Sequence, residues 1–297
     1  MFYSFSGRLN ASSPLRTSLE RGLLMPSNSI QYLVFDVESV ADGDLVARVR
    51  YPEDQLTATE AIARYRGELM DKYNSDFIPY TFQVPVSVVA GKVDAAYRLV
   101  EIVALDEPEF RPHVITRHFW QGWEAYQQPT LVSFNGRTFD LPLLELAAFR
   151  YGLSVPRWFA PGARSYEQPR NRYNTSSHLD LMEVLTNSGA SRFNGGLNLA
   201  ANLLGKPGKM DVQGSMVQDL YEQGSLQEIN DYCRCDVLDT YFTFLRASVM
   251  LGNLALEQEQ EIVLETKQWL ESKASEKPVY QRYLSHWGDW KNPWNPS

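Results

Sequence analysis

The feature that most constrains the fold of this chain is an apolar run that ends in two carboxylates, Leu33-Val34-Phe35-Asp36-Val37-Glu38. Side chains two positions apart on a β-strand lie on the same face, so we expect Asp36 and Glu38 to project together from one surface. Neighbouring carboxylates repel each other unless a cation lies between them, and their oxygens are ligands for a divalent metal. An exposed strand face can also carry such a pair, so the motif alone leaves both interpretations open.

Composition limits the class of protein. The chain has 297 residues, of which 44% are hydrophobic and 22% charged, as in a soluble globular protein of one large or two small domains. Its net charge of −8 argues against binding nucleic acid through a basic surface. An enzyme that holds a few nucleotides through metal ions stays compatible with that charge.

Cysteine usage and hydropathy indicate the compartment. Cys233 and Cys235 lie two positions apart in a predicted helix, where their side chains point about 200° apart, so a mutual disulfide or a shared zinc is not expected. No apolar run approaches the ~20 residues that span a membrane. We therefore expect a cytoplasmic protein that does not bind membranes.

The first 28 residues differ from the rest of the chain. They are rich in serine and contain three arginines and a single acidic residue, Glu20. This composition is similar to that of a transit peptide. We expect instead a disordered or non-native extension, with Met25 as an alternative start.

The periodicity of apolar residues predicts five strands and a larger number of helices. A capping box, Thr57-Ala58-Thr59-Glu60, predicts a helix that ends near Lys72. The residues 91–94 are predicted to be the turn of a hairpin. The predicted strands are 32–40, 83–90, 97–105, 130–134 and 178–180, and the other predicted helices are 116–127, 139–151, 181–185, 197–204, 216–222, 226–251 and 254–270. This order predicts an α/β protein with a mixed five-stranded sheet flanked by helices, as in a ribonuclease-H-like fold.

Two more motifs carry acidic residues. Asp140 lies in Asn135-Gly136-Arg137-Thr138-Phe139-Asp140, at the start of a helix after a central strand, where an ordinary helix-starting Asp would also fit. Tyr232 and Asp236 lie one turn apart on one face of the predicted long helix. Such a pair also occurs by chance on amphipathic helices.

Together the three motifs resemble the DEDD superfamily of 3′-to-5′ exonucleases. Asp-x-Glu ends a first strand, Asn-x-x-x-Phe-Asp follows a later one, and Tyr-x-x-x-Asp lies on a late helix. The tyrosine type is shared by the proofreading domain of family B DNA polymerases and by ribonuclease D. The histidine type would have His five residues before Asp236, where this chain has Asp231. The chain is also similar, over roughly residues 32–246, to stand-alone bacterial proteins described as predicted exonucleases related to that proofreading domain.

The resemblance implies phosphodiester hydrolysis with two divalent ions, Mg²⁺ or Mn²⁺, about 4 Å apart. Asp36 would be shared by both ions, Glu38 and Asp236 would complete the first, and Asp140 would hold the second directly or through water. Four carboxylates carry about −4 and two such ions about +4, so the site accepts phosphate only with metal bound. The pKa of a tyrosine is ordinarily near 10, so Tyr232 is expected to orient the attacking water rather than to act as a base.

The remaining polar candidates concern the substrate. Asn135 and Phe139 are predicted to contact the terminal sugar or base. Purely structural roles, for Asn135 in a turn and for Phe139 in the core, explain these residues equally well. Lys206 and Lys209 flank a Pro-Gly turn and are predicted to contact phosphate, with solvated loop charges as the alternative. Two further expectations are a helix-capping role for Asp180 and a packing role for the tryptophan-rich end of the chain, Trp287, Trp290 and Trp294.

These motifs predict a 3′–5′ exonuclease domain at 29–251, with a C-terminal helix and tryptophan-rich tail at 252–297 packed on it. The predicted substrate is nucleic acid with a free 3′ end, in particular single-stranded DNA. An RNA 3′-end exonuclease similar to ribonuclease D is one alternative, and a catalytically silent nucleic-acid-binding module is another. A glycosidase that uses Asp36 and Glu38 would leave Tyr232 and Asp236 unexplained.

Overall fold

A computed structural model describes residues 29–210 and 214–294. The interpretations of residues 1–28, including the start at Met25, lie outside the described residues. The strands are β1 (Ile30–Ala41), β2 (Gln83–Asp94), β3 (Leu99–Ala104), β4 (Thr130–Ser133) and β5 (His178–Asp180). The helices are α1 (Gly43–Arg50), α2 (Ala58–Tyr73), α3 (Pro112–Ala125), α4 (Asp140–Arg150), α5 (Pro156–Phe159), α6 (Leu181–Leu185), α7 (Gly196–Leu203), α8 (Val217–Glu222), α9 (Leu226–Met250), α10 (Leu256–Lys273) and α11 (Pro278–Ser285).

The predicted mixed five-stranded sheet is confirmed. Its order is β3-β2-β1-β4-β5. The pairs β3–β2 and β2–β1 are antiparallel, and the pairs β1–β4 and β4–β5 are parallel. Helices cover both faces, as expected for an α/β protein with a ribonuclease-H-like sheet. Within the described part of the chain, no helix is long and apolar enough to cross a membrane.

Strand β1 is central and buried on both faces, which explains its apolar run. One face packs on α3, where the ring centroids of Phe35 and Phe119 lie 5.1 Å apart. The opposite face packs on α9, where the ring centroids of Tyr32 and Phe244 lie 4.9 Å apart. Since alternate residues share a face, Asp36 and Glu38 are on the side of α9. The same alternation therefore brings these two carboxylates to the long helix.

The hairpin of β2 and β3 is confirmed, but the predicted turn at 91–94 is wrong. Those residues extend β2 through Asp94, and the chain reverses afterwards at Asp94–Arg98, where the Asp94 carboxylate accepts hydrogen bonds from the backbone N–H groups of Ala96 and Arg98. Helix α9 packs closely on this glycine, since a Cβ at Gly91 would lie 3.3 Å from a methyl group of Val237. A glycine in a strand can thus mark close packing of a helix rather than a turn.

Three short helices were not predicted from the sequence. Helix α1 begins at Asp42, whose carboxylate accepts the N–H of Leu45 at 3.0 Å, but it is eight residues long and has only two buried residues. Helices α5 and α11 begin with Pro156 and Pro278, which suit the first helical turn. Such short helices depend on packing more than on periodicity.

The C-terminal helices share the main core with the sheet. Leu270 of α10 and Tyr283 of α11 are fully buried in the same cluster as Phe35 and Leu131. Trp287 packs against this cluster, with its ring centroid 5.1 Å from that of Phe242 on α9, whereas Trp294 is 78% exposed. A separate small cluster joins α1 to α2 through Val46, Ile62 and Leu69.

Candidate active site

The candidate site lies at the carboxyl ends of two parallel strands. Residues 32–34 of β1 pair with residues 130–132 of β4, so the segments that follow both strands meet at one edge of the sheet. Asp36 and Glu38 continue β1 past this pairing, and the register of β1 against β2 shifts directly after Glu38. The turn after β4 leads to Asp140, the first residue of α4. Ligand sites commonly form at such an edge.

Three carboxylates meet at this edge. One oxygen from each of Asp36, Glu38 and Asp236 lies within 4.8 Å of the others, with Asp236 contributed by α9. Asp140, which is 5% exposed, is outside this group of three, but its charge acts on Asp36 and Glu38. None of the four carboxylates forms an ion pair with a Lys, Arg or His among the residues that the structure describes.

Burial and mutual repulsion raise the pKa of each of these groups. For Asp36 burial is the larger cause and the charge of Asp140 the second, and for Glu38 burial is followed by the charge of Asp36. Burial also dominates for Asp236, followed by the charge of Asp36. The donor set therefore fits divalent cations: hard oxygens, excess negative charge, and no protein cation paired with them in the described chain.

Tyr232 lies one helical turn before Asp236 and is 7% exposed. Burial raises the pKa of Tyr232, and the negative charges of Asp236 and Glu38 raise it further. The phenol therefore stays protonated at neutral pH and can donate a hydrogen bond. This state matches an orienting role and not a role as general base.

The tightly packed turn between β4 and α4 positions Asp140. A Cβ at Gly136 would lie 2.3 Å from Ser133 Oγ and 2.9 Å from Asp140 Oδ2, so only glycine fits there. The Asp180 carboxylate accepts the backbone N–H groups of Asn135 at 3.0 Å and Arg137 at 2.9 Å. Asp180 also caps α6 by accepting the N–H of Met182, as predicted. It acts on the site by holding the turn.

A cleft of about 750 Å³ opens beside Glu38. Asn135 and Phe139 line it, so the structure places both predicted substrate contacts next to the carboxylates. Asn135 has φ 67° and its side-chain carbonyl accepts the Thr138 hydroxyl, so the turn also requires this residue. The other side of the cleft includes Arg66 and the 59% exposed Phe77, whose ring centroid lies 5.7 Å from that of Phe139.

The two predicted phosphate-contacting lysines are separated by the fold. Lys209 is exposed, and its charge lowers the pKa of Glu38 and of Asp236, so it acts on the carboxylates. Lys206 is 5% exposed and its ammonium lies 4.0 Å from the ring centroid of Trp287. The structure therefore does not bring Lys206 to the carboxylates, because its side chain is packed among aromatic rings of α9 and the C-terminal segment.

Some residues at the site were not identified from the sequence. The Cys233 thiol lies 3.5 Å from Asp36 Oδ2 and 3.4 Å from the Asp36 backbone oxygen, directly beneath the carboxylate. Arg66 and Phe77 reach the cleft from α2 and the loop after it. No local pattern distinguishes these three residues, since each reaches the site only through long-range packing.

Comparison with known proteins identifies a family for most of the chain. Residues 75–287 match the family described as predicted 3′–5′ exonucleases related to the exonuclease domain of PolB. The matched residues include Asp140, Tyr232 and Asp236. The match begins after Asp36 and Glu38, which lie close to Asp236 in the folded chain. No curated protein gives a significant match.

Proposed function

The chain belongs to this family of predicted 3′–5′ exonucleases, and we propose that it removes nucleotides from the 3′ end of single-stranded DNA by two-metal hydrolysis. The observation that carries the proposal is the meeting of three carboxylates within 4.8 Å, beside Asp140 and Tyr232. The tyrosine type of the superfamily is part of the proposal, because Tyr232 lies one turn from Asp236.

The four acids would hold two divalent cations, Mg²⁺ or Mn²⁺. Asp36 would be shared by both, Glu38 and Asp236 would complete one site, and Asp140 would contribute to the other. When bound, the cations supply positive charge to the scissile phosphate and make water nucleophilic at neutral pH. The absence of paired protein cations in the described chain supports this assignment, since the carboxylates need neutralisation from elsewhere.

The protein's own residues would position the substrate and the water. Tyr232 would donate its hydroxyl hydrogen bond to orient the attacking water, because its raised pKa keeps the proton in place. Lys209 is suited to a phosphate contact, since its charge already acts on Glu38 and Asp236. Asn135 and Phe139 would contact the terminal sugar or base from the cleft.

The test is hydrolysis of matched DNA and RNA oligonucleotides, labelled at either end, by the purified full chain with Mg²⁺ or Mn²⁺. We expect 5′-labelled single-stranded DNA to shorten stepwise and 3′-labelled DNA to release labelled mononucleotide from the first time point. Chelation should stop both reactions, and Asp36→Asn should be inactive while Asp71→Asn, on the exposed end of α2, keeps its activity.

The alternatives predict different results in the same assay. Faster hydrolysis of RNA than of DNA would favour an RNA 3′-end exonuclease. Binding without hydrolysis under every metal condition would indicate a silent nucleic-acid-binding module. Release of internal fragments would contradict an exonuclease of either kind.

A further inference from the structure

A second cavity, of about 390 Å³, lies between α9, α10 and the C-terminal segment. It shares no lining residue with the cleft beside Glu38. Its apolar walls include Val263 and Phe242, and its aromatic walls include Trp287 and Trp290. Cavities of this size with apolar walls and a few charged groups are typical of small-molecule sites.

Lys206 is the charged group of this cavity that has no ion-pair or hydrogen-bond partner among the residues that the structure describes. Its side chain is 5% exposed and lines the cavity. Its ammonium lies 4.0 Å from the ring centroid of Trp287 and 5.2 Å from that of Phe242. Among the described residues, no carboxylate lies within ion-pair distance of it and none accepts its hydrogen bond. The aromatic rings stabilise the ammonium, but its hydrogen-bond donors have no acceptor among the described residues.

The other charges of the cavity leave an excess of positive charge. The Arg246 guanidinium lies 2.9 Å from Glu259 Oε1 and is thereby neutralised. Lys267 places a second ammonium 5.5 Å from the Trp287 ring centroid. Asp289 is exposed and is the one further acid of the lining, so three basic residues line the cavity against two acids. The charges of Asp289, Glu259 and the buried Asp239 act on Lys206 without reaching ion-pair distance. An anion would supply the acceptor that Lys206 lacks.

We propose that this cavity binds a nucleoside monophosphate, with the phosphate at Lys206 and Lys267 and the base against the wall that Trp290 and Val263 form. The preference for an aromatic anion follows from the cavity alone. The choice of a nucleotide rests on the proposed function, since an exonuclease releases nucleoside monophosphates.

The cavity is connected to the carboxylates through one short loop. Lys206 and Lys209 are three residues apart; Lys206 lines the cavity, and the charge of Lys209 acts on Glu38. The Gly205 carbonyl accepts the backbone N–H of Gly288 at 2.8 Å, which joins the loop to the C-terminal segment. A ligand at Lys206 therefore binds to the loop that carries Lys209.

The test is equilibrium binding of deoxyadenosine monophosphate to the full chain in EDTA, followed by calorimetry and by tryptophan fluorescence. Without metal, the acidic cluster repels anions, so binding there does not interfere. We expect one saturable site. Lys206→Met should weaken binding about tenfold or more, as expected for the loss of a charged hydrogen bond. Lys72→Met, a change of the same chemistry at the end of α2, should leave binding unchanged.

Further measurements separate the possible outcomes. Trp290→Ala should also weaken binding, which keeps the test valid if Lys206→Met alters folding, as checked by circular dichroism. Deoxyadenosine and inorganic phosphate should each bind more weakly than the nucleotide. Equal affinity for inorganic phosphate, or wild-type affinity in both variants, would overturn the proposal.

The test also distinguishes this proposal from the proposed function. Asp36→Asn removes the proposed metal ligand but lies outside the cavity, so nucleotide binding in EDTA should persist in that variant. A chain that binds the nucleotide but hydrolyses no nucleic acid would contradict the exonuclease assignment and leave the cavity assignment intact.

Discussion

Asp36 is the residue on which the proposed chemistry depends most. It lies between the charges of Glu38, Asp140 and Asp236, and burial and repulsion raise its pKa. We expect Asp36→Ala to abolish hydrolysis, since the carboxylate shared by both metals is lost. We also expect the metal-free variant to melt at a slightly higher temperature than wild type, because like-charge repulsion is relieved.

Oligonucleotide hydrolysis and thermal melting in EDTA check the two expectations. Asp71→Ala is the matched control, because it removes an exposed acid on α2 away from the cluster. Residual activity above a few per cent of wild type in Asp36→Ala would contradict the two-metal assignment.

Tyr232 and Asp236 lie on one face of α9, but we expect substitutions of the two residues to affect hydrolysis in different ways. Tyr232→Phe keeps the buried ring and deletes only the hydroxyl, so we expect kcat to fall by roughly ten- to a thousandfold with metal affinity unchanged. Asp236→Asn removes a proposed ligand, so its activity should need more Mn²⁺. The hydrolysis rate, measured against metal concentration, distinguishes the two variants. A wild-type rate in Tyr232→Phe would show that Tyr232 has only a packing role.

At the scale of elements, the turn between β4 and α4 sets the position of Asp140. A Cβ at Gly136 would lie 2.9 Å from Asp140 Oδ2 and closer still to Ser133 Oγ. We expect Gly136→Ala to displace this turn and to lower hydrolysis at least tenfold while the sheet stays folded. Gly67, in the middle of α2, has no atom within 4 Å of an added Cβ.

Gly67→Ala is therefore the matched control for Gly136→Ala. An alanine in a helix interior is more favourable than glycine by roughly 0.5–1 kcal/mol, so this variant should gain stability and keep its activity. Denaturant unfolding and the hydrolysis assay measure both effects. Full activity in Gly136→Ala would show that the position of Asp140 does not depend on this turn.

At the scale of the whole molecule, the acidic cluster links stability to pH and to metal. The pKa of Asp36 and of Asp140 is raised to about 7, and that of Asp236 to about 8, chiefly by burial. A carboxyl with a raised pKa stabilises the folded state while it is protonated, and that contribution is lost as pH rises through the raised pKa. The unfolded chain releases these protons from about pH 4, so we expect the melting temperature in EDTA to fall from about pH 4 to about pH 8 and to level off above that.

Mg²⁺ should reverse this fall, because it binds the ionised carboxylates of the folded state. Melting curves from about pH 4 to about pH 9, with EDTA or Mg²⁺, provide the measurement. Asp239 is also buried with a pKa raised to about 8, so a metal-independent slope should remain. The double variant Asp36→Asn, Asp236→Asn should lose the response to Mg²⁺, and an unchanged response would contradict the metal site.

Short-range spacing explains what could be predicted from the sequence. Asp36 and Glu38 share a strand face, and Tyr232 and Asp236 share a helix face, because backbone geometry alone repeats every two residues or every turn. The apolar run of β1 likewise indicated a strand. The order of strands and helices was sufficient to predict the five-stranded sheet, since connections in α/β proteins follow few patterns.

The remainder depends on contacts between residues distant in the chain. Gly91 lies within a strand because it pairs with Val34 of β1 and Ile102 of β3, and Cys233 lies next to Asp36 only because α9 packs on β1. Lys206 and Lys209 are alike in sequence, yet Lys206 packs among aromatic rings and the charge of Lys209 acts on the carboxylates. Local spacing was therefore enough to identify the groups capable of chemistry. Which of these groups meet depends on tertiary packing, because burial and charge act between residues that are distant in the chain.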